Sequence, residues 1–381
     1  MRKYLFISTN EGHTWGGSEA LWSSAAEKLA RRGNEVRVSV KDWGVSVPQI
    51  EKLRTAGCQI FYRRYRLPAF LTRQIRRLLP VPDYKLTHVR EIGRGMDMVV
   101  ISQGANYDGL ELIDATQKAG YKYAIVSQCA AEQWWPHDDL AEKLATLYEN
   151  ASAAYFVSQA NVELSRRQFG SLLGNPKVIR NPFNAQYNDR PPWPDGLPDR
   201  LSLACVARLD VSQKGQDLLI KVLNLPHWRE RKVCLSLIGK GVNERWLRRA
   251  VEELNLTNVV FTGQVDDIAK VWSKHHALVL ASRYEGMPLV VVEAMLCGRP
   301  CIATDVGGNR ELIRDGINGF LAKAATVELV DEAINRAWEN RDRLKEMGCT
   351  AAADVRKWVS EDPGEDFARE LETLVGAGNG G

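Results

Sequence analysis

The most constraining feature of this chain is an alternation. Short apolar runs recur along nearly its whole length, and amphipathic stretches lie between them. In the first half the runs are Tyr4–Ser8, Glu35–Val40, Met96–Ser102, Tyr121–Ser127 and Ala153–Ser158. In the second they are Leu201–Ala207, Val233–Ile238, Val259–Thr262, Ala277–Ala281 and Pro300–Thr304. They are rich in β-branched or aromatic residues, and turn residues bound them, so they read as strands. Ser18–Arg32, stopped by Gly33, reads as a helix, as do Gly215–Asn224 and Asn243–Leu254. Near-continuous apolar strands between helices predict parallel sheets covered on both faces. Two such series in 381 residues predict two doubly wound α/β domains.

The break falls at residues 181–200, which hold Pro182, Pro191, Pro192, Pro194 and Pro198 with little periodicity. It reads as a linker between a domain over 1–190 and one over 200–358. The glycine-rich end, 376–381, is expected to be disordered.

Charge is balanced, 51 basic against 47 acidic residues, which gives no electrostatic case for a nucleic-acid partner. The apolar run after Met1-Arg2-Lys3 turns polar at Ser8, too early for a signal peptide. No stretch approaches the ~18 apolar residues of a membrane-spanning helix. Seven scattered cysteines without a C-x-x-C read as reduced core residues and fit a cytoplasmic protein. One stretch, 61–90, carries eight basic residues against Asp83 alone, interleaved with apolar ones. It fits either peripheral contact with an anionic membrane face or a solvated helix packed on its own domain.

The chemistry concentrates after the run Ala277–Ala281. There Glu285, Gly286, Met287, Pro288 and Leu289 lead into an apolar helix that carries Glu293. Proline suits a first helical turn, where its missing N–H costs nothing. The amides of Met287 and Leu289 at that helix start favour an anion or a hydrogen-bond-accepting sugar. Glu293 suits ribose hydroxyls, and Glu285 suits hydroxyls of a sugar. Gly16 and Gly17, between the first strand and its helix, allow backbone to approach a phosphate or sugar closely.

Glu285 to Glu293 matches the E-x7-E signature of retaining glycosyltransferases. The run from Ser282 to Leu321 resembles glycosyltransferase family 4, through Glu293-Ala294-Met295, Gly298-Arg299-Pro300, Gly307-Gly308 and Asp315-Gly316-Ile317-Asn318-Gly319. Arg208 and Lys214 resemble the family's diphosphate-gripping pair. Gly239 with Gly241, and Gly263 with Val265, resemble its strand ends near the nucleotide base. Gly16-Gly17-Ser18-Glu19 resembles its first glycine-rich loop. The resemblance implies two facing Rossmann-like domains (GT-B), with the donor mostly in the second and the acceptor mostly in the first. It implies a last helix, here 359–375, that crosses back to the first domain. It also implies a retaining transfer from a UDP- or GDP-sugar to a glycan, lipid or other hydroxyl acceptor.

A fixed guanidinium and ammonium can meet the leaving diphosphate's charge, so no metal or other cofactor is expected. The sequence departs from the family at the end of a first-domain strand. Where many members place a donor-contacting His, this chain reads Val126-Ser127-Gln128-Cys129. Gln128 can both donate and accept in its place. Trp134 and Trp135 are candidate acceptor-stacking residues, and Glu19 either orients its loop or starts its helix. A nicotinamide oxidoreductase is disfavoured, because the first loop lacks G-x-G-x-x-G. A non-catalytic sugar-nucleotide-binding protein is the alternative.

Overall fold

The computed structural model describes residues 1–12, 14–64, 84–188, 190–195 and 200–377. The chain divides into two compact units, residues 1–182 with 362 onward, and residues 183–361.

The first unit is a seven-stranded, all-parallel sheet in the order β3-β2-β1-β4-β5-β6-β7. Its strands are β1 (Lys3–Ser8), β2 (Glu35–Lys41), β3 (Gln59–Arg63), β4 (Met98–Ala105), β5 (Tyr123–Cys129), β6 (Ala153–Phe156) and β7 (Pro176–Val178). Strand order reverses between β1 and β4, so their carboxyl ends flank a crevice. Alternation along β1 sends Tyr4 and Phe6 into one core with Trp22, Val38 and Phe367. It sends Leu5 and Ile7 into the opposite core with Ile101, Ile125 and Phe156.

Helix Pro363–Ala377 packs on this same unit. Phe367 meets Tyr155 edge-on at 5.1 Å. Gly364 sits against Ser24, where a Cβ would lie 2.0 Å from Oγ. The single helix expected over 359–375 instead begins at Pro363. It also takes in Gly376 and Ala377, which were expected in the disordered tail. The rest of that tail lies outside the described residues.

The second unit is a six-stranded, all-parallel sheet in the order β10-β9-β8-β11-β12-β13. Its strands are β8 (Leu201–Val206), β9 (Val233–Ile238), β10 (Val259–Gly263), β11 (Ala277–Leu280), β12 (Cys301–Thr304) and β13 (Gly319–Ala322). Here order reverses between β8 and β11. Strands β3, β7 and β13 are additions to the pattern read from sequence.

The proline-rich 181–200 segment is not a free linker. Among its described residues, Asn184, Tyr187, Pro191 and Pro192 are bonded into the second unit. Arg356 Nη2 donates to the Tyr187 carbonyl at 2.8 Å. Buried Arg299 donates to the Pro192 carbonyl at 2.6 Å and stacks over Trp193 at 4.8 Å. Desolvation is the reason: Arg299 is 2% exposed and finds nearly all its acceptors among backbone carbonyls.

The basic 61–90 stretch lies mostly outside the described residues. Arg63, counted there with the surface charges, is 1% exposed; it donates to Ser39 Oγ at 2.9 Å and to the Ser8 carbonyl. Among the described residues no helix is long and apolar enough to cross a membrane.

Candidate functional site

The second unit brings its chemistry-bearing loops to one end of its sheet. After β8 the chain runs through Arg208 to Lys214, and Gly215 turns it with φ +63. A Cβ on Gly215 would lie 1.9 Å from the Ala281 carbonyl oxygen, so only glycine lets the β8 loop press on the end of β11. Arg283 ties the same two loops, gripping Asp217 with two bonds of 2.8 Å.

Across this switch point Lys214 Nζ donates to Glu285 Oε1 at 2.6 Å. The same oxygen accepts from Ser282 Oγ at 2.7 Å. Glu285 is 4% exposed. Behind it, the β12 loop closes on its backbone: Gly307, at φ +53, leaves room where a Cβ would sit 2.2 Å from the Glu285 carbonyl oxygen. Gly308 N–H donates to the Gly286 carbonyl at 2.8 Å. The carboxylate is therefore fixed from three strands before any ligand arrives. Arg208, on the same β8 loop as Lys214, is half-exposed, with Nη2 donating to Gln213 at 2.9 Å and lying 3.4 Å from Asp210 Oδ2. The arrangement offers a compact, partly sheltered ammonium and an accessible guanidinium at the carboxyl end of a parallel sheet, where phosphate-bearing ligands bind in such sheets.

The neighbouring strand ends are zipped to this loop. Gly239, at φ +143, donates to the Gly263 carbonyl at 2.8 Å. A Cβ on Gly239 would lie 2.1 Å from the Ala207 carbonyl oxygen. Val265 projects beyond, 37% exposed.

On the other side, the helix begins at Leu289, not at Pro288. Pro288 is its N-cap, with extended ψ 118, one position earlier than its helix-start chemistry predicts. The cause is local: Pro288 φ is already −68, but its ψ still follows the extended loop. The first-turn amides of Leu289 and Val290 have no carbonyl to meet within the helix. Met287 is buried.

Glu293, in the second turn, is 5% exposed. Its Oε1 accepts from the Asn184 backbone at 2.8 Å and from Asn184 Nδ2 at 3.0 Å. Burial pushes its carboxyl up, and the two Asn184 bonds oppose that. Asn184 and Ser282 were not singled out in the sequence. Ser282 was visible as a small polar residue just after an apolar strand; Asn184 gave no signal.

In the first unit Gly16 opens a short turn over Gly17–Glu19 in extended conformation. Glu19 is buried; Oε2 accepts from Trp22 Nε1 at 3.0 Å and Oε1 from Ser18 Oγ at 3.3 Å. Gln128, at the end of β5, accepts from Asn181 Nδ2 at 2.6 Å, and its own Nε2 is buried without a protein partner. His137 caps the helix Asp138–Glu149. Trp134 meets Tyr107 edge-on at 6.0 Å, whereas Trp135 is 56% exposed. Among the described residues no group of three or more His, Cys, Asp or Glu is placed to hold a metal ion.

Residues 200–340 match the family model described as "Glycosyl transferases group 1". The chain is 27% identical over 95% of its length, and 95% of the relative's, to a GDP-mannose-dependent alpha-(1-6)-phosphatidylinositol monomannoside mannosyltransferase of Mycolicibacterium smegmatis. The Mycobacterium tuberculosis protein of that name is 29% identical, over 94% of each chain. Among solved structures, Anabaena HepE in complex with UDP and glucose superposes with TM-score 0.73 at 20% identity, over 98% of this chain and 100% of that one. A glycosyltransferase from Rickettsia africae gives TM-score 0.76 at 15% identity, over 98% and 99%. The structural likenesses show the fold, two Rossmann-like domains of the GT-B type. The matched model and the relatives support a glycosyltransferase.

Proposed function

We propose that this chain is a retaining, metal-independent glycosyltransferase of family 4 that takes its sugar from a UDP- or GDP-sugar. The carrying observation is the Lys214–Glu285 contact of 2.6 Å across the β8/β11 switch point, with Arg208 on the same β8 loop as Lys214. In this reading Lys214 and Arg208 meet the diphosphate, and their fixed positive charge stabilises it as it leaves. Glu285 accepts from hydroxyls of the donor sugar, while the amides after Pro288 face its oxygens. Glu293 turns its remaining acceptor capacity to the ribose, with Asn184 fixing the other oxygen. Gly239, Gly263 and Val265 border the base.

The acceptor hydroxyl attacks the anomeric carbon on the face the phosphate leaves. The new C–O bond forms as the sugar–phosphate bond breaks, and the proton passes to the departing phosphate oxygen. The full-length mycobacterial relatives are named for GDP-mannose, which makes it the first donor to try.

The test is turnover, with the product's anomeric configuration read by NMR. Retention is expected. Glu285→Ala is expected to lower kcat much more than nucleotide affinity. An inverted product, or an unchanged rate in that variant, contradicts the reading.

A further inference from the structure

The ammonium of Lys214 already carries a carboxylate, Glu285, at 2.6 Å. The Lys214 side chain is 17% exposed and Glu285 is buried, so little solvent screens the contact. Glu285 is held against turning away. Its Oε1 also accepts from Ser282 Oγ at 2.7 Å, and Ser282 is itself fully buried. The Ser282 carbonyl in turn accepts from Thr304 Oγ1 at 2.6 Å, and the Thr304 carbonyl from Asn309 Nδ2 at 2.8 Å. Gly307 and Gly308 close on the Glu285-Gly286 backbone from the β12 loop. Lys214 is anchored as well: it ends the short helix Val211–Lys214, and Gly215 behind it presses on the Ala281 carbonyl. Cys205, fully buried near both, adds no charge, because burial pushes its thiol up to about 12.

The other cation of the site is partnered differently. Arg208 Nη2 lies 3.4 Å from Asp210 Oδ2, on one loop, with the arginine side chain half-exposed. Water screens such a pair, and it opens at little cost. A diphosphate that reaches Arg208 displaces a weak, solvated partner. One that reaches Lys214 must share the ammonium with a fixed, buried negative charge. Lysine has three N–H donors, so sharing is possible, but the repulsion between carboxylate and phosphate stays.

That repulsion falls unequally on two related ligands. A sugar nucleotide brings hydroxyls from which Glu285 can accept, and its sugar-bearing phosphate ionises only once. The nucleoside diphosphate left after transfer brings no such hydroxyl, and its terminal phosphate ionises a second time near neutral pH. We propose that Glu285 is a selectivity residue as well as a sugar contact: its fixed charge disfavours the product nucleoside diphosphate at Lys214 and so favours donor over product. A repulsive element of this kind discriminates without adding affinity for the favoured ligand. The role rests on the diphosphate placement proposed above.

Calorimetric titration of the full chain with GDP, GDP-mannose, UDP and UDP-glucose, in the parent and in Glu285→Gln, tests it. Glutamine keeps an oxygen for Ser282 and Lys214 and removes the charge. The nucleoside diphosphate that the parent binds is expected to bind Glu285→Gln about tenfold more tightly. The matching sugar nucleotide should gain at most about twofold, since a weaker acceptor for its hydroxyls offsets the relief. Asp210→Asn, at the screened pair, should change both affinities by less than about threefold. Unchanged or weaker diphosphate binding in Glu285→Gln, an equal gain for both ligands, or an equal gain in Asp210→Asn overturns the selectivity role and leaves the diphosphate placement standing. A parent that binds none of the four overturns the placement, and the selectivity role with it.

Discussion

At the switch point of the second unit, three loops are locked before a ligand arrives. Glu285 is bonded to Lys214 and Ser282, and Gly215, Gly239 and Gly307 each bring their loop against a neighbouring carbonyl. The carboxyl ends of the first unit's sheet are built differently. They carry indole rings, a buried carboxylate, and polar atoms such as Thr9 Oγ1, Ser102 Oγ and Gln128 Nε2 that have no protein partner. Both sheets share one doubly wound topology. What differs is the side chains that follow the strands: fixed cations and close-packed backbone in one unit, aromatic faces and spare hydrogen-bonding groups in the other. A shared fold thus supplies the place, and the loop residues give each sheet end its own chemistry.

The comparison can be broken first at the glycines. Gly307→Ala combines a left-handed backbone with a clash against the Glu285 carbonyl, and should cost about 4 kcal/mol. Gly33→Ala, also left-handed but in open space in the first unit, should cost about 1 kcal/mol. Denaturant melts of the two variants separate close backbone approach from strain alone. Equal losses would remove the locked-loop account.

Acid should act next. His276 is fully buried in the second unit, and its Nδ1 accepts from Ser202 N–H at 2.9 Å. Burial pushes its pKa down from 6.5 to about 4. The unfolded chain therefore binds the proton more readily. Stability is fully present above pH 6.5 and is lost as pH falls towards 4, by up to about 3 kcal/mol. His276→Asn should flatten that part of the pH–stability curve; a curve unchanged by the substitution would show that His276 does not govern it.

Arg208→Ala should have the smallest effect of the three on the fold. The side chain is half-exposed, so the melting temperature should hardly move, while nucleoside-diphosphate affinity falls about tenfold. A variant that binds the nucleotide as the parent does would leave Lys214 as the sole cation of the site.

Much of this was legible in the chain. The central strands are apolar and flanked by turns, so β1, β8 and β9 read within a residue or two. Three of the four edge strands did not: β7 begins with Pro176, β13 with Gly319, and β3 carries charged Arg63, which pattern reading places on a surface. In the second unit Glu285 and Lys214 stood out because their loops are short and local in sequence. The bond of Glu293 to Asn184 spans 109 residues, and no local pattern encodes it. The first unit's aromatic face was least legible, since Trp15, Trp43 and Glu19 come together only when β1 and β2 pair.

The most direct measurement is calorimetric titration of GDP and UDP into the parent chain and into Lys214→Ala. The account predicts that the parent binds at least one of them, and that the variant binds it about a hundredfold more weakly while remaining folded. Equal affinity in the two proteins, or no binding to the parent, would contradict the assignment of the diphosphate to the second unit's switch point.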